Sequence, residues 1–307
     1  MNPMRSALLW ASQNKTLSER LPRYRFVRKA VRRFMPGETE DDALQAAGKL
    51  KTEGFGTVLT YLGENITEMH EAEHVAEHYS AVLDKIHAQK LDCHLSVKLT
   101  QLGFDLDQEF CRQKVLALLK KASALHNFVW IDMESSAYVD RTLMLFKKLR
   151  SESNNVGLCL QAYLYRTGKD FQDLLQLSPV IRLVKGAYAE PKEVAYPLKK
   201  DVDRQYFELS KQLLAARSNG VQLGIGTHDS VLLGQITRGM ETEGHPKNSC
   251  EFQMLYGIRT DQQERLVQKG YNVRVLISYG THWFPWYMRR LAERPANVLF
   301  VLKNLFV

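Results

Sequence analysis

Eight short runs of β-branched and apolar residues recur along this chain, at 56–61, 93–99, 128–133, 157–160, 180–184, 222–226, 251–254 and 273–277. Between most of them lie segments with helical spacing, at 68–89, 109–125, 139–150 and 202–218. A strand buried on both faces reads as a continuous apolar run, and strands that alternate with helices pair in parallel. Eight such units in a chain of 307 residues match the count and size of a (β/α)8 barrel, the α/β fold of TIM type. An open, doubly wound sheet is the alternative, because periodicity does not show closure. No GxGxxG follows a strand, which disfavours a Rossmann nucleotide site. A helical arm at 16–35, the Pro36-Gly37 break and a helix at 41–53 precede the first strand. The expected division is an N-terminal helical arm, 1–54, and a barrel with a C-terminal helix, 55–307.

Apolar residues make up 45% of the chain, which supports a large core, yet no stretch has the apolar length needed to cross a bilayer. The N-terminus shows no secretory signal, so a cytoplasmic location is expected. Cys93, Cys111, Cys159 and Cys250 show no CxxC spacing and read as reduced, buried thiols. The net charge is +8, with basic residues dense at 20–33. No nucleic-acid motif accompanies that charge. A solvated basic helix and a peripheral contact with an anionic membrane are both compatible with it. The apolar tail at 298–307 is too short to span, and reads as packed on the core or as a surface anchor.

Active residues of such barrels come from the C-terminal ends of strands and the loops beyond them. Read that way, the uncommon residues of this chain line up. They are Lys98, Asp132, Met133, Gln161, Arg182, Lys185-Gly186-Ala187-Tyr188, Thr227-His228, Leu255 and Tyr279. Lys98, Asp132 and Arg182 lie in apolar runs, where a charge is costly unless paired or bound to a ligand. Near the C-terminus, Arg289-Arg290 follows Trp283-Phe284-Pro285-Trp286-Tyr287-Met288. Guanidinium forks grip a carboxylate at two points, so two forks beside aromatics suit a small acid with an apolar body. The competing reading is a helix with a solvated basic face. No carboxylate pair is convincingly spaced for glycosidic chemistry, and His228-Asp229 lack a third metal ligand. A Schiff-base lysine, Lys98 or Lys185, keeps an aldolase-like reading open. A non-catalytic basic binding protein is the remaining alternative.

Several strings in this order resemble the proline dehydrogenase family: Ser96-Val97-Lys98-Leu99, Ile131-Asp132-Met133-Glu134, Arg182-Leu183-Val184-Lys185-Gly186-Ala187-Tyr188, Gly226-Thr227-His228-Asp229, Glu251-Phe252-Gln253-Met254-Leu255-Tyr256-Gly257 and Arg289-Arg290-Leu291-Ala292-Glu293-Arg294-Pro295-Ala296-Asn297. The chain looks like the short monofunctional bacterial type. The resemblance implies a distorted (β/α)8 barrel that oxidises L-proline to Δ1-pyrroline-5-carboxylate and passes electrons to membrane quinone. It implies FAD at Met133, Gln161, Lys185, Gly186, Ala187, Thr227 and His228. It implies substrate contacts from Lys98, Tyr188, Leu255, Tyr279, Arg289 and Arg290, with Asp132 and Arg182 as catalytic residues. Two positions depart from the family pattern. Trp286 stands where a tyrosine usually shapes the pocket around the substrate ring, and Ala189 where other members carry an aromatic.

Overall fold

The computed structural model describes residues 30–63 and 66–293 without a break, together with 7, 8, 10–12, 14–21, 24 and 27. The eight runs form strands β1 (Gly56–Tyr61), β2 (Cys93–Val97), β3 (Val129–Ile131), β4 (Val156–Gln161), β5 (Val180–Val184), β6 (Gln222–Gly226), β7 (Glu251–Leu255) and β8 (Asn272–Tyr279). Each pairs in parallel with the next, and β8 returns to β1 with Gly56 opposite Arg274 and Tyr61 opposite Tyr279. The sheet is a closed barrel, which rules out the open doubly wound alternative.

Helices α1 (Lys15–Arg20) and α2 (Glu40–Thr52) precede β1. The crossovers carry α3 (Met69–Ala88), α4 (Gln108–Ala124), α5 (Val139–Glu152), α6 (Thr167–Leu174), α7 (Lys199–Ala215), α8 (Ser230–Thr242) and α9 (Thr260–Gln268), and α10 (Trp283–Glu293) follows β8. Local chemistry sets their starts. At α2 the Thr39 hydroxyl accepts the Asp42 N–H at 3.1 Å while the Asp42 carboxylate accepts the Thr39 N–H at 3.1 Å, a reciprocal cap. Asp107 accepts the N–H groups of Glu109 and Phe110 ahead of α4.

Alternation along the strands sorts side chains into two layers. Outward residues such as Leu95, Ile131, Leu183 and Ile277 pack against the helices in one large core. Inward, Val58, Trp130 and Val180 form a separate cluster with Phe128 and Leu276. Gly157 makes room for that cluster, since a Cβ there would fall 2.6 Å from the Trp130 indole.

The N-terminal segment and α10 share a further core, in which Val31, Phe34 and Met35 meet Trp283, Trp286 and Tyr287. Glu38 joins the two, taking the Trp283 indole N–H at 2.8 Å on its carboxylate and the Gly280 N–H at 3.0 Å on its carbonyl. Gly257, at φ +68°, is where this segment crosses the barrel, because a Cβ there would fall 1.6 Å from the Arg33 carbonyl oxygen. The four cysteines are free and buried. Among the described residues no helix is long and apolar enough to cross a membrane. The Arg294-Pro295-Ala296-Asn297 string, the tail at 298–307 and much of the basic segment at 20–33 lie outside the described residues.

Candidate active site

Lys98 and Asp132 are the first residues past β2 and β3, and Arg182 lies at the middle of β5. All three point into the barrel and meet. Lys98 Nζ donates to Asp132 Oδ2 at 2.5 Å. Arg182 Nη2 donates to Asp132 Oδ1 and, at 2.7 Å, to Ser96 Oγ. The Ser96 hydroxyl in turn donates to Asp132 Oδ1 at 2.8 Å. The Arg182 guanidinium sits 5.0 Å from the Trp130 ring centroid, within cation–π range. Burial alone would raise the Asp132 carboxyl, but the charges of Lys98 and Arg182 and hydrogen bonds from Lys98 and Ser96 outweigh it and bring the pKa down to about 2. With Asp132 ionised, these three groups carry one net positive charge.

Around this cluster the loops supply further groups. Gln161 ends β4, and its Nε2 donates to the carbonyls of Glu134 at 3.1 Å and Met133 at 3.4 Å. Those two bonds settle the amide orientation and leave Gln161 Oε1 buried without a hydrogen-bond partner among the described residues. Past β5, Lys185 Nζ donates to Asp203 at 2.5 Å and Asp229 at 2.8 Å. Burial would raise Asp229, yet hydrogen bonds and charge from Lys185 and Lys199 hold it well below the usual carboxylate range. Gly186 has φ +117°, and a Cβ there would fall 2.4 Å from the Tyr163 ring, so only glycine lets the backbone pass this close to that ring. Ala187 and Tyr188 continue this loop, half-buried. Past β6, Thr227 is buried and its hydroxyl accepts the Asp229 N–H at 3.2 Å. His228 Nε2 accepts the Leu255 N–H at 2.7 Å, which assigns the ring proton to Nδ1 and ties β6 to β7.

The helix α10 reaches the same face. The Arg289 guanidinium lies 5.6 Å from the Tyr188 ring centroid, linking the C-terminal arginine pair to the loop after β5. Arg289 and Arg290 are both half-buried. Trp286 is buried in the core that α10 shares with the N-terminal segment. Of the predicted residues, Tyr279 faces away from the cluster. It occupies an outward position of β8, so its hydroxyl meets His78 Nε2 of α3 at 2.8 Å in the helical layer. The inward position at that end of β8 belongs to Ser278, which is fully buried.

Three residues of the cluster escape the sequence reading as site residues: Ser96, Trp130 and Gln253. Each stands two positions before a predicted one, namely Lys98, Asp132 and Leu255. Strand periodicity puts positions i and i+2 on one face, so the signal was present. Their ordinary chemistry hid it.

Residues 43–303 match the family model described as proline dehydrogenase. The chain is 39% identical over 304 residues to proline dehydrogenase 1 of Bacillus subtilis subsp. natto, covering 98% of this chain and 99% of that protein. The chain belongs to the proline dehydrogenase family. It is also 37% identical to the proline dehydrogenase of Deinococcus radiodurans, over 89% of both chains. The solved structure of proline utilization A (PutA) from Bdellovibrio bacteriovorus shares the fold, with a TM-score of 0.80 at 22% identity over 93% of this chain and 38% of that one. As a proline dehydrogenase, the protein carries out the proline oxidation step of proline catabolism.

Proposed function

We propose that this proline dehydrogenase converts L-proline to Δ1-pyrroline-5-carboxylate with FAD at the C-terminal ends of the strands, and that a quinone accepts the electrons. The observation that carries the cofactor's place is Gln161 Oε1, a buried acceptor with no partner among the described residues, fixed in direction by the bonds of its own Nε2. A buried acceptor left unmet is costly, and the N–H edge of a flavin ring is a donor of the right kind. Met133, Gln161, Lys185, Gly186, Ala187, Thr227 and His228 would hold the cofactor. Bound there, FAD supplies the two-electron acceptor that no side chain can be.

The chain's own residues account for the rest. Arg289 and Arg290 bind the substrate carboxylate, and Tyr188 and Leu255 cover the apolar ring. Lys98 and Asp132, joined at 2.5 Å, order the floor of the pocket. The net positive charge of the Lys98–Asp132–Arg182 cluster disfavours a protonated amine nearby, which helps proline arrive at the neutral amine its oxidation requires. Arg182 would offer a preorganised positive charge to an electron-rich group held beside it. Tyr279 supports this wall from the helical layer. The aldolase-like reading needs a neutral lysine, whereas Lys98 and Lys185 are both ion-paired. The basic segment at 20–33 would bring the enzyme reversibly to an anionic membrane where quinone resides.

A visible spectrum of the purified protein tests the proposal. Flavin bands that bleach on anaerobic addition of L-proline are expected. Turnover of proline without any bound flavin would overturn the cofactor assignment.

A further inference from the structure

The Arg182 guanidinium has a second edge. While Nη2 serves Asp132 and Ser96, Nη1 donates to Gln253 Oε1 at 3.2 Å. Gln253 is 4% exposed on the inward face of β7. Its Nε2 donates to Glu251 Oε1 at 2.8 Å, two residues earlier on the same face. The other Glu251 oxygen accepts from Arg274 Nε at 2.8 Å. Arg274 Nη1 then donates to Asp92 Oδ1 at 2.8 Å and to the Thr57 carbonyl at 3.1 Å. One chain of hydrogen bonds therefore runs along the barrel interior from Asp92 at its base to Lys98 at its mouth.

The sense of every link is forced. Guanidinium groups only donate and ionised carboxylates only accept, so Gln253 is the one link in the run from Arg274 to Asp132 that could turn over. Glu251 decides which way it faces. A turned amide would set its NH2 against Arg182 Nη1, donor against donor. The seat is also tight, since a Cβ on Gly224 would fall 3.0 Å from Gln253 Nε2.

Charge is the second consideration. Arg274 faces two carboxylates, Glu251 and Asp92. Among the described residues Arg182 pairs with one carboxylate, Asp132, which it shares with Lys98. A glutamate at 253 would supply the same acceptor atom and cancel the remaining charge. We propose that Gln253, aimed by Glu251, is a positioning residue for Arg182, and that its neutrality keeps one positive charge at the barrel mouth for an electron-rich ligand. The identity of that ligand as the flavin rests on the function proposed above.

The decisive variant exchanges the two residues, E251Q/Q253E. It keeps total charge and allows every hydrogen bond of the chain, yet moves the carboxylate next to Arg182. In the flavin-replete enzyme the flavin midpoint potential should become more negative. The limiting rate of anaerobic reduction by L-proline should fall tenfold or more. The dissociation constant of a non-oxidisable carboxylate analogue of proline should stay within twofold. Gln253→Leu, which removes the acceptor and leaves the charge, should slow reduction with analogue binding retained, and Gln253→Glu alone should shift the potential if the exchange variant does not fold. Parental potential and parental rate in the variants would overturn the positioning role. An unaltered protein that holds no flavin would instead overturn the function proposed above, and with it the ligand named here.

Discussion

Arg182 and Arg274 are both buried inside the same barrel, on inward positions of β5 and β8, at 3% and 7% exposure. Their surroundings differ. Arg274 at the base is ringed by Glu251, Asp92 and two carbonyl oxygens, so its charge and its donors are met. Arg182 nearer the mouth has part of one carboxylate, a serine, a neutral amide and an indole face. A buried charge that is fully answered holds strands together. One that is only partly answered has attraction left for a ligand. Between the two, His94 faces the interior with its pKa lowered well below that of free imidazole by burial first and then by both arginines, so it adds no third cation there.

That contrast can be broken most directly at the arginines themselves. Arg182→Met should slow proline-driven flavin reduction by about 10²–10³-fold while the barrel still folds, as removal of a preorganised electrostatic donor does. Arg274→Met should instead lower the unfolding free energy by about 1–3 kcal/mol, read by urea titration, because it leaves the half-buried Glu251 without its cation and the carbonyls of Thr57 and Asp92 without a donor. It should slow reduction less than Arg182→Met does. If the arginine at the base governed the rate and the one at the mouth governed stability, the distinction would collapse.

The next effect concerns the substrate end. Arg289→Met and Arg290→Met should each weaken proline binding by about 2–5 kcal/mol with flavin content retained. Equilibrium titration with a carboxylate analogue checks this, and unchanged affinity in both variants would remove the arginine pair from the site.

Asp132 gives a smaller effect with a defined sign. Its folded-state pKa is depressed to about 2, below the unfolded value of about 3.9. Its contribution to stability, about 2 kcal/mol, is therefore present above pH ~4 and lost as pH falls through the folded value. Asp132→Asn should flatten that limb of the stability–pH curve, measured by denaturation between pH ~5 and pH ~2. An unchanged limb would mean that other carboxylates carry the acid sensitivity.

The smallest effect belongs to the open end of the hydrogen-bond chain. The Asp92 side chain is 58% exposed, so Asp92→Asn should cost no more than about 1 kcal/mol of stability. A larger loss would show that the base is less well answered than its geometry indicates.

The eight strands were legible in the sequence because parallel strands buried on both faces have to be apolar. Residues 56–61, 180–184 and 222–226 form strands over those same spans. The boundaries at 128–133 were less so: β3 is only Val129–Ile131, although the Asp132 N–H still donates to the Val97 carbonyl at 2.9 Å while its side chain meets Lys98 and Arg182. Charges in apolar runs stood out for the same reason that strands did, which is why Lys98, Asp132 and Arg182 could be picked out together. Gln253 and Ser96 were harder to pick out: the i, i+2 spacing puts them on the face of Leu255 and Lys98, but a neutral polar side chain adds no further mark of its own. The position of Tyr279 at a strand end does not by itself show which layer it enters; the pleat turns its hydroxyl to His78.

Apolar rhythm, strand-end charges and the arginine pair are properties of the chain, and they set the class of fold, the family and most of the chemistry. Closure of the barrel is not such a property. It depends on β8 finding β1 across more than two hundred residues, and only the register of Gly56 with Arg274 decides it. Nor does the sequence show which buried arginine is answered and which is left with charge to spare. That depends on how many carboxylates reach each guanidinium, at distances of a few ångströms, and only packed strands bring such distant positions together.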